Sequence, residues 1–396
     1  MKYAKRNRTL KSKLITCYSS IEMKKIYQYS VIAWLSLLLW ASGVQALSEK
    51  KVDSVSERES SKTVTFIFAG DIMGHMPQIE AAYNKESGSY DFLPCYQFIA
   101  PYIRTADLAM ANLEVPLAGK PYSGYPRFSS PEALLDGALS AGFGVMQLAN
   151  NHAADRGGHG IESTIEAVSR RVQCVGSYLN EAQRDTLYPL IVNVKGLRTA
   201  ILNCTFDTNG NPVPKPFIVN LIDTAQIHRD VARARREGAK FVIMTIHWGT
   251  EYELKANEEQ RQLARYFANT GIDLIIGSHP HVVQNFEYVY RQDSVKVPVY
   301  YSLGNMISNQ RKENSNGGIL AKVTVDVKSH KAVQCTYLPF YVYKGDLNGK
   351  MQYYIIPTQW YSSQRDIELP SQDVSALKLF ESNTLKRLSH IETFGE

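Results

Sequence analysis

The sequence predicts an α/β fold, because short apolar segments alternate with amphipathic segments over most of the chain. Seven β-branched or aromatic runs are typical of buried strands: TVTFIFAG, LAMANLE, FGVMQLANN, TAILNC, KFVIMTIHW, IDLIIGSH and VPVYYSLGN. Three intervening segments have a helical pattern: IESTIEAVSRR, TAQIHRDVARARREG and NEEQRQLARYFANTG. An open α/β sheet binds its ligand at the carboxyl ends of its strands, so the polar residues that follow these runs are the candidates for a functional site.

The composition supports a globular chain that does not bind nucleic acid. The chain has 396 residues, of which 44% are hydrophobic, and this is enough for a large buried core. Its net charge of +6 is concentrated at the amino terminus, since residues 1–46 contribute +7 and leave −1 for the remainder. Phosphate-backbone binding depends on clustered Lys and Arg, so a nearly neutral remainder argues against a nucleic-acid partner.

Residues 1–46 have the order of a secretory signal. Basic residues precede the apolar run VIAWLSLLLW, and ASGVQA then supplies small residues before a predicted cleavage after Ala46. The most compact form of this signal begins at Met23, with residues 1–22 as an upstream extension. The alternative is an uncleaved membrane anchor, although an apolar run of about seventeen residues is short for a bilayer. We therefore expect an exported protein, periplasmic or at the cell surface, and membrane-anchored if the signal is not cleaved.

Composition divides the rest of the chain into three parts. Residues 47–62 are polar and predict a flexible linker, and residues 63–310 contain the alternating α/β pattern. Residues 311–396 contain the strand-like segments ILAKVTVDV, KAVQCTYLPFYVY and MQYYIIP and the helix-like ALKLFESNTLKRLSHI. We expect this β-rich extension to pack on the same domain.

The cysteines give no metal-binding motif. Four follow the predicted cleavage site, at spacings that fit no paired metal pattern: Cys95, Cys174, Cys204 and Cys335. They form one or two disulfide bonds or remain buried free thiols, and the sequence leaves both alternatives open.

Carboxylate, amide and imidazole side chains follow several of the predicted strands. They are Asp71 and His75 in GDIMGH, Glu114 in NLEVP, Asn151 and His152 in NNHAADRG, His247 in HWGTEY, and His279 and His281 in GSHPHVVQ. Five of the nine histidines of the chain are in this set. This mixture of ligand types suits borderline divalent metals such as Zn, Mn or Fe.

Each of these residues has an ordinary structural alternative when it is considered alone. Asp71 could cap a helix, Glu114 could be an exposed turn acid, and Asn151 could be a turn residue. A single histidine is more often a surface or core residue than a metal ligand. Their joint occurrence at strand ends favours a metal site, and a loop just past the strand allows His279 and His281 to reach the same ions.

Six motifs in this order resemble the CapA family of bacterial poly-γ-glutamate capsule synthesis proteins, over about residues 63–310: GDIMGH, NLEVP, NNHAADRG, HWGTEY, GSHPHVVQ and YSLGN. The resemblance implies a calcineurin-like metallophosphoesterase fold, a four-layer α/β/β/α sandwich with two divalent ions, Mn, Zn or Fe, where the strand ends meet. The implied ligand set is Asp71 and His281 for the first ion, Glu114 as the bridge, and Asn151, His247 and His279 for the second.

The chain departs from this family pattern at two positions. The superfamily has a histidine two residues after the first aspartate, whereas this chain has Met73 there, and His75 is the nearest imidazole and therefore the candidate replacement ligand. Met306 in YSLGNM replaces the usual Phe, which is a change of packing with little chemical meaning.

The resemblance also supplies candidate catalytic residues. His152 matches the catalytic histidine of the superfamily, and Asp155 would orient its imidazole, with a turn carboxylate as an equal alternative. Arg127 in YPRFSSP and Arg156 in ADRG are the candidates for substrate binding, although a surface cation is the more common role for such residues.

We therefore expect an exported, metal-dependent hydrolase that cleaves phosphoester or amide bonds, with His152 as its general acid. Its substrate would be an anionic cell-envelope polymer such as poly-γ-glutamate, or a small molecule. The alternative is a non-catalytic accessory protein, whose metal site would bind carboxylates or organise a capsule synthesis or export complex at the membrane. His152 beside a full ligand set favours catalysis, because a structural metal site needs no acid.

Overall fold

The computed structural model describes residues 62–347, 349–364 and 367–395. The predicted signal at 1–46 and the linker residues 47–61 lie outside the described residues. Within the described ranges, no helix combines the length and the apolar character that crossing a membrane requires.

The strands of the described residues are numbered here in chain order: β1 (Thr63–Ile72), β2 (Tyr83–Asn84), β3 (Ser89–Tyr90), β4 (Leu108–Leu113), β5 (Val145–Gln147), β6 (Gln173–Val175), β7 (Ser177–Tyr178), β8 (Leu190–Val194), β9 (Leu197–Thr205), β10 (Ile218–Val219), β11 (Phe241–His247), β12 (Leu274–Ser278), β13 (Phe286–Tyr290), β14 (Lys296–Tyr300), β15 (Asn305–Ile307), β16 (Gly317–Asp326), β17 (Lys331–Asp346), β18 (Met351–Pro357) and β19 (Glu392–Thr393). The α-helices are α1 (Met76–Ala82), α2 (Ala100–Ile103), α3 (Ala133–Ala141), α4 (Gly157–Ser169), α5 (Glu181–Leu187), α6 (Thr224–Arg236), α7 (Glu258–Thr270), α8 (Thr358–Gln364) and α9 (Ser371–Arg387), and a short 3-10 helix spans Leu93–Tyr96.

The first large sheet has the strand order β18-β17-β16-β1-β4-β5-β6, and β15 and β19 pair with β1 and β17. β1, β4, β5 and β6 are parallel, so their carboxyl ends lie along one edge. β16, β17 and β18 continue the sheet on the other side of β1 as antiparallel neighbours. The residues after 311 therefore contribute strands to the same sheet as β1.

The second large sheet has the strand order β13-β14-β12-β11-β9-β8. Its four central strands, β14, β12, β11 and β9, are parallel, and the edge strands β13 and β8 are antiparallel to their neighbours. Each of the two large sheets thus contains a group of parallel strands, and functional residues can lie at the carboxyl ends of these strands.

The two sheets pack face to face between helices, which confirms the four layers implied by the resemblance. Successive side chains of β1 point to opposite faces of the first sheet. Phe66 faces the second sheet and stacks on Phe241 with 6.2 Å between ring centres. Ile67 belongs to the apolar cluster on the outer face. α3 and α4 bury Leu134 and Ile165 in that outer cluster. α6 and α7 pack against the second sheet.

Of the two alternatives for the cysteines, the structure shows free thiols. Cys95, Cys204 and Cys335 are buried, Cys174 is half-buried, and none of these four forms a disulfide bond. Burial raises the pKa of the Cys174 and Cys335 thiols to about 11, so they pack as small apolar side chains.

Candidate metal centre

Strand ends from both sheets meet at one edge of the fold. Asp71 lies near the end of β1 and Glu114 follows β4 in the first sheet, whereas His247 ends β11 and His279 and His281 follow β12 in the second. All five side chains are almost completely inaccessible to solvent. Parallel pairing of β1 with β4 and of β11 with β12 brings these strand ends together.

The potential ligand atoms form two overlapping groups. Asp71, Glu114 and His281 make one group, and Glu114, His247 and His279 make the other. Within each group the ligand atoms lie within 4.8 Å of one another. Glu114 belongs to both groups, so the structure divides these residues in the same way as the ligand set implied by the resemblance.

Glu114 has no hydrogen-bond donor for either of its carboxylate oxygens, although it is fully buried. His247 Nε2 lies 3.3 Å and His281 Nε2 3.8 Å from Oε1. Burial and the neighbouring Asp71 raise the pKa of Glu114 well above its usual range. The alternative that Glu114 is an exposed turn acid is therefore excluded, and a divalent cation would supply the partner that a buried carboxylate requires.

The histidines of the second group are held in the neutral form, which is the form that binds metals. Burial, together with the neighbouring His279, lowers the pKa of His247 well below its ordinary value. Burial and His281 lower the pKa of His279 to about 3. His279 Nδ1 is buried without a hydrogen-bond partner, as are both carboxylate oxygens of Glu114. Such an unpaired nitrogen is available to bind a metal ion.

The loop that carries His279 and His281 has an unusual backbone. Their φ angles are 99° and 57°, in the left-handed region that residues other than glycine rarely adopt. The His279 N–H donates to Asp71 Oδ2 at 3.3 Å, and His281 Nδ1 lies 3.2 Å from the same oxygen and 3.1 Å from Asn305 Oδ1. These contacts hold the His279 backbone and the His281 imidazole against Asp71 of the first sheet.

Two buried asparagines that we did not select from the sequence connect these groups. Asn112 Nδ2 donates to Asp71 Oδ1 at 2.8 Å and lies 3.3 Å from His247 Nδ1, so it links the two sheets. Asn150 donates to Leu113 O at 2.8 Å and accepts the His152 N–H at 3.1 Å. The signal for Asn112 was an amide inside the otherwise apolar run LAMAN.

Asn151 lies beside the second group. Its Oδ1 is 2.9 Å from His247 Nε2, and its Nδ2 donates to Asn209 Oδ1 at 3.2 Å. The bond to Asn209 orients the amide so that its oxygen faces the group, which is the orientation a metal ligand needs.

The next residue, His152, forms a buried pair with Asp155. His152 Nδ1 lies 2.8 Å from Asp155 Oδ2, and this oxygen also accepts the backbone N–H of Phe128 at 2.9 Å. The Phe128 ring packs edge-on against His152, with 4.7 Å between ring centres. With a proton on Nδ1, the imidazole has a fixed orientation and Nε2 is left for other partners.

His75 lies outside both groups of potential ligand atoms. Its ring packs against Phe128 with 5.2 Å between ring centres, and its Nδ1 is 3.1 Å from Gln78 Oε1 in the first turn of α1. Burial lowers the pKa of His75 to about 4. Met73, at the position where the superfamily has histidine, is buried in the apolar cluster of the first sheet.

The two arginines have different environments. Arg127 is exposed and donates to Asn211 Oδ1 at 3.2 Å. Arg156 donates to the backbone oxygens of Phe128 at 3.1 Å and Arg127 at 3.0 Å, and to Ser123 Oγ. These bonds make Arg156 a residue that fixes the 123–128 loop beside His152, whereas Arg127 has a side chain that faces solvent.

Comparisons with known proteins show which sequences and structures this chain resembles. The family model described as bacterial capsule synthesis protein PGA_cap matches residues 65–310. The capsule biosynthesis protein CapA of Bacillus anthracis is 27% identical over 329 residues, which cover 77% of this chain and 74% of that protein. The PGA biosynthesis protein CapA of Bacillus subtilis (strain 168) is 29% identical over 274 residues, covering 63% and 65%. Among solved structures, NAD nucleotidase of Haemophilus influenzae has a TM-score of 0.49 at 14% identity, covering 82% of this chain and 68% of that one.

Proposed function

Since the chain belongs to the family of bacterial capsule synthesis proteins that the PGA_cap model describes, we propose that it is an exported, metal-dependent hydrolase of an anionic cell-envelope polymer. The observation that carries this proposal is Glu114, a buried carboxylate with two unpaired oxygens that is shared by two groups of potential ligands. Export is supported by the amino-terminal signal pattern, and poly-γ-glutamate is the first candidate polymer because of the family.

The residues of the centre fit a pair of divalent ions, with Zn, Mn and Fe as the candidates. The proposed ligands are Asp71 and His281 on one side, Asn151, His247 and His279 on the other, and Glu114 between them. Such a pair of ions activates water near neutral pH and stabilises the negative charge of a transition state in phosphoester or amide hydrolysis.

His152 would serve as the proton donor to the leaving group. Asp155 accepts the Nδ1 proton, so Nε2 is the atom that would give a proton to the departing oxygen or nitrogen when the imidazole is in its doubly protonated form. Asp155 also holds the Phe128 backbone, and Arg156 binds the same loop. These contacts fix the imidazole in one orientation before the substrate arrives.

The test is elemental analysis and activity of the parent and of His152→Gln, assayed on model phosphoesters and on poly-γ-glutamate. We expect bound divalent ions in both proteins and a loss of activity of about 10²–10⁴-fold in the variant. His159→Gln, at an exposed position of α4, is the matched control and should keep the activity of the parent. A parent without bound ions, or a fully active His152→Gln, would contradict the proposal. Retained ions without turnover in either protein would favour the non-catalytic accessory role.

A further inference from the structure

Three cations lie beside the candidate metal centre without a carboxylate partner among the described residues. They are Arg311, Lys312 and Lys344, which we call the cationic strip, and all three are exposed. Arg311 and Lys312 immediately follow the residues matched by the family model, which end at 310. Family motifs therefore gave no indication of this feature.

The segment 308–316, which carries two of these cations, contacts His75 directly and is linked to His281 through Asn305. The backbone N–H of Asn309 donates to His75 Nδ1 at 3.4 Å. Asn305 lies 3.1 Å from His281 Nδ1 through its Oδ1 and donates through Nδ2 to Ser315 O at 2.9 Å. The segment is therefore held at the edge of the metal centre.

Each cation lies over a tyrosine ring. Lys312 Nζ is 3.8 Å from the ring centre of Tyr252, whose ring is 6.2 Å from that of His281. Arg311 and Lys344 lie 5.4 Å and 5.5 Å from the ring centre of Tyr353. A cation–π contact restricts the position of a cation but leaves its charge available to an anion.

The other partners of the strip are also neutral. Arg311 Nη1 donates to Val342 O at 2.8 Å, and Asn309 Oδ1 accepts from Lys344 Nζ at 3.5 Å and from Tyr353 Oη at 2.5 Å. Burial raises the pKa of Tyr353 to about 12, so its hydroxyl remains a neutral donor. These hydrogen bonds therefore bring no negative charge to the strip.

The acidic residues near the strip do not neutralise it. Burial raises the pKa of Tyr252, and the nearby Glu251 raises it further. Burial likewise raises the pKa of Tyr353, and Glu80 adds to this rise. Glu313, next to Lys312 in sequence, accepts a hydrogen bond from Asn383 Nδ2 at 3.2 Å. None of the three carboxylates forms an ion pair with a strip cation in the described part of the chain.

We propose that the cationic strip binds successive anionic groups, carboxylate or phosphate, of a polymer that reaches the metal centre. Lys312 lies over Tyr252, on the His281 side, whereas Arg311 and the β17 residue Lys344 both lie over Tyr353, on the His75 side. Cations over two different tyrosines can contact successive charges of one chain, whereas a single small anion has only one charged group to offer. The inference rests on the proposed function for the identity of the polymer, but binding is measured without turnover.

The test is direct binding of fluorescent poly-γ-glutamate and of polyphosphate of matched length to the full-length protein. His152→Gln serves as the background, so that neither polymer is consumed. In the triple variant Arg311→Gln, Lys312→Gln and Lys344→Gln, we expect Kd for the bound polymer to rise about tenfold, since exposed charge contacts are individually weak. The affinity should also depend less on salt than that of the parent.

Lys296→Gln is the matched control. Lys296 Nζ also lies 3.8 Å from a tyrosine ring centre, that of Tyr288, but it begins β14 and is thus at the end of the strand far from the centre. This variant should bind as the parent does, and thermal unfolding should show that all variants are folded. A loss of affinity for poly-γ-glutamate in the triple variant identifies the anion as carboxylate, and a loss of affinity for polyphosphate identifies it as phosphate.

Equal affinities of the parent and the triple variant for both polymers would overturn the inference, as would no binding by the parent. An equal loss in Lys296→Gln would overturn it too, because the effect would then be one of net charge. Binding that depends on the strip, together with no hydrolysis of either polymer by the protein with His152 intact, would support this inference and contradict the proposed function.

Discussion

At the scale of single residues, the proposed centre depends most on Glu114. Without a cation, its buried carboxylate faces Asp71 and has no donor, and both burial and this neighbour raise its pKa. A raised pKa in the folded state means that the carboxyl group lowers stability as the pH rises above the unfolded value. A divalent ion reverses this effect, because it stabilises the ionised form.

Replacing Glu114 with glutamine should therefore have different effects on the stability of the metal-free protein and of the metal-loaded protein. Glu114→Gln keeps the shape and removes the charge, so we expect loss of at least one bound ion and of most of the metal-induced rise in Tm, without destabilisation of the metal-free protein. Elemental analysis and thermal unfolding with and without chelator measure both effects. Glu259→Gln, an exposed change of the same kind on α7, is the control. Unchanged metal content in Glu114→Gln would contradict Glu114 as the shared ligand.

His75 gives a prediction about pH. Burial lowers its folded pKa to about 4, from an ordinary value of 6.5, so the unfolded chain binds more protons between these values. Stability contributed by the neutral imidazole is therefore present above pH 6.5 and is lost as the pH falls towards 4. His75→Asn retains a good residue for the start of α1 and removes the titration. We expect the drop in unfolding free energy from pH 7 to pH 5 to be smaller in this variant by about 1–2 kcal/mol.

Urea unfolding of the metal-free proteins at the two pH values measures this difference. His159→Asn, at an exposed position, controls for the change in side-chain size. If His75→Asn loses as much stability as the parent between pH 7 and pH 5, then His75 is not the group that titrates.

At the scale of elements, Gly70 allows β1 to place Asp71 in the centre. A Cβ at Gly70 would lie only 1.9 Å from Gly304 O, which is backbone and cannot move aside cheaply. We therefore expect Gly70→Ala to destabilise the fold by about 2–4 kcal/mol and to weaken metal binding by moving Asp71. Denaturant unfolding and metal titration measure the two effects.

The control for Gly70→Ala is Gly144→Ala, at the position immediately before β5 of the first sheet. There the new Cβ would meet Leu108 Cδ1 at 3.0 Å, the end of a flexible side chain, so the cost should be smaller. Equal costs at the two glycines would show that the close approach of β1 to Gly304 is not what restricts position 70.

Much of the fold could be predicted at this scale, because strand and helix patterns are local. Each of the seven apolar runs contains a strand, and each of the three amphipathic segments contains a helix. Pairing between distant strands is not local: β16 lies beside β1 although more than 240 residues separate them in sequence. No periodicity shows that β16 to β18 extend the sheet that carries Asp71.

The candidate site, like the fold, could be predicted where its signals are local in sequence and not where it depends on contacts between distant elements. Charged and imidazole side chains after apolar strands are visible in the sequence, and Asp71 and His247 each lie in a group of potential ligands with Glu114. The positions of Asn112 and of the cationic strip depend on contacts across sheets and with Tyr353, which no local pattern encodes. His75, which immediately precedes α1, was selected by the same kind of pattern but lies outside both ligand groups.

At the scale of the whole molecule, the proposed ions connect the two sheets. Asp71 and Glu114 come from the first sheet, and His247, His279 and His281 from the second. The protein's own polar links across this edge include Asn112 with His247 and Asp71 with His281. Ions held between the two sheets would add bonds across this edge. Their removal should therefore affect stability as well as activity.

Chelation should therefore lower Tm and loosen both sheets at the same edge. An ion present at a hundredfold excess over its Kd stabilises the folded state by about 2.7 kcal/mol. Hydrogen exchange should increase at residues 69–72 and 113–115 in the first sheet and at 246–248 and 278–282 in the second, while β8 and β18 keep their protection. The change must occur in both sheets, because an ion bound by one sheet alone would protect only that sheet. Protection lost in one sheet, or an unchanged Tm after complete removal of metal, would mean that no ion joins the two halves of the fold.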